Sequence, residues 1–141
     1  MMSRLALAAT VAMLLAPVAQ ARNMEDFMTV KELPGGQEFE VLNHPGAGPA
    51  HFWCAAGAHA QRDLGLGPLA RVYLVQGRAP STMQPGWQAV TFTVNPKHAV
   101  VAMLPDGGAS DLVLSLKKQG YALSTDSARQ YCFDGPDIIV P

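Results

Sequence analysis

Polar and apolar residues alternate from Gln37 to Leu42, with Phe39 and Val41 set against Glu38 and Glu40. A period of two predicts a half-buried strand. The run Leu33-Pro34-Gly35-Gly36 before it is a turn signal, and Asn43 to Pro49, with two Pro and two Gly, breaks regular structure after it. From Pro49 onward the period changes. Trp53, Ala56, Ala60 and Leu64 recur at steps of three and four, which predicts a helix with one apolar face. Pro49 suits the first helical position, where its missing N–H is no loss. Gly65 and Gly67, followed by Pro68, end the helix. Gly57 costs such a helix about 1 kcal/mol relative to Ala. Close approach of another element to the small residues Ala55 to Ala60 is a physical reason to keep it.

The second half reads mainly as strands. Arg71 to Gln76 is rich in β-formers, and Gly77 to Gly86, marked by Pro80 and Pro85, reads as a loop. Gln88 to Val94 alternates, with Val90, Phe92 and Val94 on one face. Asn95-Pro96 turns the chain, Ala99 to Leu104 is a short apolar run, and Pro105-Asp106-Gly107-Gly108 is a hairpin signal. Asp111 to Lys117 alternates again through Leu112, Leu114 and Leu116, although the same residues also fit a helix ending at Gly120. Ser124 or Thr125 caps a short helix whose last turn carries Cys132, and the apolar tail Phe133 to Pro141 suits an edge strand. Strands in a run with helices segregated beside them predict an α+β fold. The expected architecture is a small antiparallel sheet of about four strands, packed by one main helix, with a short C-terminal helix.

The N-terminus changes the picture of where this domain works. Arg4 is a positive n-region, Leu5 to Pro17 is an uncharged apolar stretch, and Ala19-Gln20-Ala21 is a small-x-small cleavage pattern. The apolar stretch is shorter than the roughly 20 residues a membrane span needs. Residues 1–21 therefore read as a signal peptide, 22–36 as a flexible mature N-terminus, and 37–141 as one domain. The expected location is secreted or periplasmic, with retention as an N-terminal anchor as the alternative. In that setting the two cysteines, Cys54 and Cys132, most simply form one disulfide. It closes a loop of roughly 80 residues, worth on the order of 4 kcal/mol by chain entropy.

Charge narrows the function classes. The formal net charge is −1, and no basic run exceeds Lys117-Lys118. Nucleic acid is not an expected partner, nor is a membrane surface or span after signal cleavage. His51, Cys54 and His59 hold donors that zinc or copper accept, but their spacing does not place all three on one helix face. A Cys54 nucleophile with a His51 or His59 base conflicts with the disulfide. The carboxylates Glu40, Asp63, Asp106 and Asp111 are scattered, and no G-x-S-x-G is present. The sequence thus assigns no catalytic residue, cofactor or metal ligand. Aromatic anchors are the stronger signal, and the stretch Arg78 to Trp87, with Met83 inside it, is the expected binding surface. The function read from these features is non-enzymatic binding or an envelope-associated role, with an envelope protein as the partner class. The alternative is a small periplasmic hydrolase or metal-binding protein using His51 and His59.

Phe52-Trp53-Cys54-Ala55-Ala56-Gly57, then Ala60-x-Arg62, Val72-Tyr73-Leu74, Ala89-Val90-x-Phe92-Thr93 and Leu123-Ser124-x7-Cys132 give a further expectation. Over about residues 37 to 133 the chain resembles a family of small secreted bacterial proteins of uncharacterised function. The resemblance implies a disulfide-bonded domain and transfers no catalytic residue.

Overall fold

The computed structural model describes residues 27–99 and 114–133. Among these residues five strands form one antiparallel sheet: β1 (Val30–Glu32), β2 (Glu38–Leu42), β3 (Arg71–Pro80), β4 (Gln88–Thr93) and β5 (Ala122–Ser124). Their spatial order is β1-β2-β4-β3-β5. The main helix α1 (Pro49–Arg62) packs on one face, a short 3-10 turn spans Pro96–His98, and a short helix α2 (Thr125–Gln130) follows β5 directly. The fold is α+β, as expected, with one strand more than about four.

Alternation fixes which face of the sheet is inside. Phe39 and Val41 of β2, Val72 and Leu74 of β3, and Val90 and Phe92 of β4 are all buried and meet Phe52, Trp53, Ala56 and Ala60 of α1 in one core. Register lines them up: Phe39 pairs with Phe92 and Val41 with Val90 across β2 and β4. Trp53 sits at the centre, fully buried, with its ring edge-on to Phe92 at 4.9 Å and to Tyr121 at 5.5 Å. Its indole N–H donates to the Ser115 carbonyl at 3.0 Å, so the one polar atom of this large side chain is satisfied.

Helix α1 is more enclosed than a one-faced reading predicts. Every residue from Phe52 to Ala60 is buried. The reason is that α2 packs against α1 at Gly57, while Met28 and Val30 lie beside Ala55, Ala58 and His59. A Cβ on Gly57 would lie 2.8 Å from the Thr125 carbonyl oxygen and 2.8 Å from the Arg129 amide nitrogen. Glycine lets the two helices touch backbone to backbone. Cys54 and Cys132 are joined in a disulfide at this same contact, with Cα atoms 4.8 Å apart. Polar bonds finish the seam: Gln61 donates to the Thr125 hydroxyl at 3.0 Å and accepts from Arg129 at 2.9 Å.

Several sequence expectations need correction. The segment 22–36, expected to be loose, supplies β1, whose Val30 pairs with Val41, and Met28 just before it is buried. β3 does not stop at Gln76 but runs to Pro80, through register shifts between Leu74 and Gln76 and between Gln76 and Ala79. Residues 114–117, read as strand or helix, are neither; they cross the edge of the core with Leu116 buried. β5 falls in three residues assigned to no strand. The apolar run beyond Ala99, the hairpin signal at 105–108, and the tail beyond Phe133 lie outside the described residues, as do the signal and cleavage site.

Candidate functional site

Glu40 organises the hairpin that carries the expected binding surface. It projects from the middle of β2 on the face opposite Phe39 and Val41, and it is only 2% exposed. A buried carboxylate needs donors to stand in for lost water. Here the loop joining β3 to β4 folds back to supply them. The Ser81 hydroxyl donates to Oε2 at 2.5 Å, the Thr82 amide and hydroxyl donate to Oε1 at 2.9 and 2.8 Å, and the Met83 amide reaches Oε2 at 3.3 Å. Burial pushes the Glu40 carboxyl pKa up. The hydrogen bonds from Ser81, Thr82 and Met83 outweigh that effect and hold it below the ordinary 4.5. The loop is therefore wrapped around an anion.

The loop also braces itself. Ser81 Oγ accepts from the amides of Met83 and Gln84 at 3.1 and 2.9 Å. The Ser81 amide donates to the Trp87 carbonyl at 2.8 Å and closes the loop base. Gly86 takes φ of +82°, a left-handed turn that suits glycine. Met83 and Trp87 are left 41% exposed each on this anchored backbone. The Trp87 ring meets His44 edge-on at 5.8 Å, His44 lies 5.3 Å from Phe27, and Phe27 lies 5.8 Å from His51. Four rings thus run in a row from Trp87 in the loop to His51 at the start of α1, and Phe27 and Trp87 among them are half-exposed.

The three residues of the expected surface are not all brought together. Met83 and Trp87 share the tip loop. Arg78, on β3, lays its guanidinium over the Phe52 ring at 5.2 Å and donates to the Ala47 carbonyl at 2.9 Å. It lies beside the start of α1.

His51 and His59 do not form one site either. Eight residues of helix separate them, about 12 Å along the axis, and Cys54 between them is oxidised. His51 Nδ1 accepts the Gly48 amide at 3.0 Å and so caps α1, where the N-cap glycine has no side chain to offer. His59 is buried at 6% exposure, with Nδ1 2.7 Å from Asp63 Oδ2. Glu32 Oε1 lies 3.4 Å from His59 Nε2 but is not aligned as a hydrogen bond. A cavity of about 460 Å³ opens beside these three residues. Among the described residues, no group of three or more His, Cys, Asp or Glu side chains could hold a metal ion.

Comparison with protein-family models, curated proteins and solved structures finds no match for this chain. The reading of the site therefore rests on its own geometry. The 78–87 stretch is legible from its Trp and Met, whereas the role of Glu40, 41 residues from Ser81, is not. Its only local signal was a polar residue at the outward position of a short strand.

Proposed function

We propose that this chain is an exported, disulfide-stabilised recognition domain that contacts an envelope protein through the tip loop Ser81–Trp87. The observation that carries the reading is the pairing of exposure with rigidity: Met83 and Trp87 stand half out of the surface on a backbone fixed by four donors to one buried carboxylate. Aromatic and Met side chains that are immobile before contact lose little entropy on binding. A flexible loop with the same residues would bind less well. The Cys54–Cys132 bond and the leader-like residues 1–21 support export to an oxidising compartment. The resemblance to small secreted bacterial proteins agrees with both.

The test compares proteins retained from envelope extract by the immobilised mature domain and by its Trp87→Ala/Met83→Ala variant. The reading expects a defined set held by the wild type and lost by the variant. Identical retention by both would refute it. A second reading, acid–base hydrolysis, draws on His59, whose contact with Asp63 beside a cavity would orient the ring for proton transfer. It expects turnover of a chromogenic ester or phosphate ester that is abolished by His59→Gln.

A further inference from the structure

We propose that the cleft between the bulged part of β3 and residues 114–119 binds a small organic anion with an apolar body. The cleft has a volume of about 800 Å³, within the 300–1,000 Å³ typical of small-molecule sites. It lies apart from the tip loop, and the inference does not rest on the recognition reading.

The cleft is built into the fold rather than left between loose segments. Two register shifts fall in β3 between Leu74 and Ala79, and such irregularities re-aim side chains that a regular ladder would point elsewhere. Gln76, Gly77 and Arg78 form one wall as a result. The facing wall is pinned to the core at several points. The Leu116 carbonyl oxygen packs so closely on Gly77 that any Cβ there would overlap it. The Trp53 indole holds the Ser115 carbonyl, and Gly120 and Tyr121 exchange backbone hydrogen bonds with Leu74 at 2.8 Å each.

Charge selects the ligand. Arg78 and Lys117 both line the cleft, and among the described residues no Asp or Glu does, in a chain whose net charge is −1. Pro49, the first residue of α1, is also at the cleft, and the first turn carries no acidic residue. The positive end of the helix dipole therefore adds to the two cations. Arg78 is held in place by Phe52 and Ala47, which uses one of its five N–H donors. The Lys117 ammonium has no ion pair or hydrogen bond among the described residues. Gln76 and Gln119, whose amides meet at 3.5 Å, add polar groups, while the half-buried Leu114 supplies an apolar patch. A carboxylate or phosphate head would sit between Arg78 and Lys117, with its hydrocarbon against Leu114.

The disulfide-intact, ¹⁵N-labelled protein is titrated with hexanoate, hexyl phosphate, inorganic phosphate and uncharged 1-hexanol, followed by amide shifts. We expect saturable shifts centred on Gln76, Gly77, Ser115 and Lys117 with hexanoate or hexyl phosphate, and the stronger of the two identifies the head group. Inorganic phosphate and 1-hexanol should each bind about tenfold more weakly, because each offers only half of the recognition. Lys117→Gln should weaken the better ligand about three- to fivefold, as befits an exposed charge. Arg78→Gln should weaken it about tenfold, and if that variant unfolds, Lys117→Gln decides alone. Hexanol binding as tightly as the anions, shifts centred on another part of the molecule, or unchanged affinity in Lys117→Gln would each overturn the proposal.

Discussion

Replacing Glu40 with Gln tests whether the buried carboxylate holds the tip loop. The variant keeps the shape of the side chain but exchanges one acceptor oxygen for an NH2 group. Oε1 accepts twice from Thr82, and Oε2 accepts from Ser81 and Met83. With the NH2 at the Oε1 position the Thr82 amide would lose its acceptor, whereas with the NH2 at the Oε2 position the Met83 amide keeps Ser81 Oγ at 3.1 Å, so the second placement costs less. The Ser81 hydroxyl can rotate and recover part of the loss. The remaining loss is that of charge-assisted bonds to the carboxylate, about 1–2 kcal/mol. For a domain near 100 residues this lowers Tm by roughly 5 °C or more. The pH dependence follows from the direction of the shift. The folded carboxyl pKa lies below 4.5, so its contribution is complete above about pH 4.5 and is lost as pH falls through the folded value. Non-reducing thermal unfolding of both proteins at pH 7 and pH 3 reads the effect. The gap between them should be full at pH 7 and narrow at pH 3. A variant within 2 °C of wild type at pH 7, or a gap that is unchanged by acid, would refute the anchoring argument.

Other consequences are equally open to measurement. Gly57→Ala gains about 1 kcal/mol of helix propensity but forces α2 off α1, at an overpacking cost of about 1–3 kcal/mol; thermal melts should show net destabilisation, and a raised Tm would contradict backbone contact at this point. Removing the disulfide by Cys54→Ala/Cys132→Ala releases a loop of sequence separation 78 and should cost about 4 kcal/mol in denaturant unfolding. Trp53 is fully buried while Trp87 is 41% exposed; acrylamide should quench Trp87 fluorescence in Trp53→Phe but leave Trp87→Phe nearly unquenched.

What could be read from the sequence was whatever depends on neighbours in the chain. Helix α1 announces itself through Pro49 and the spacing of Trp53, Ala56 and Ala60, and β4 through Val90 and Phe92. Gly57 signalled close packing because a glycine inside a helix asks for a reason. The two cysteines left a single pairing. Elements whose existence depends on distant partners were harder to see. β1 is three residues, two of them charged, and it forms because Val30 and Met28 find β2 and α1 beside them. β3 continues through Gly77 and Pro80 because β4 pairs with it past the bulges, where local propensity argues for a loop. The alternation of Leu114 and Leu116 reports burial at the core edge, and these residues pair with none of the described strands. At the site, Trp87 and Met83 were visible as side chains that favour interfaces. Glu40 was not, because its role is defined by donors more than 40 residues away. The contacts of Arg78 with Phe52 and Ala47 have no local signal, because both partners lie more than 25 residues away in the chain.

The most direct test of the recognition reading is photo-crosslinking in the producing cell, with a photoreactive phenylalanine analogue at Met83 or Trp87. Leu69, 86% exposed and outside the tip loop, serves as the control position. The account predicts light-dependent adducts to the same envelope protein from positions 83 and 87 and none from 69. No adduct at either tip position, or the same adducts from all three, would contradict it.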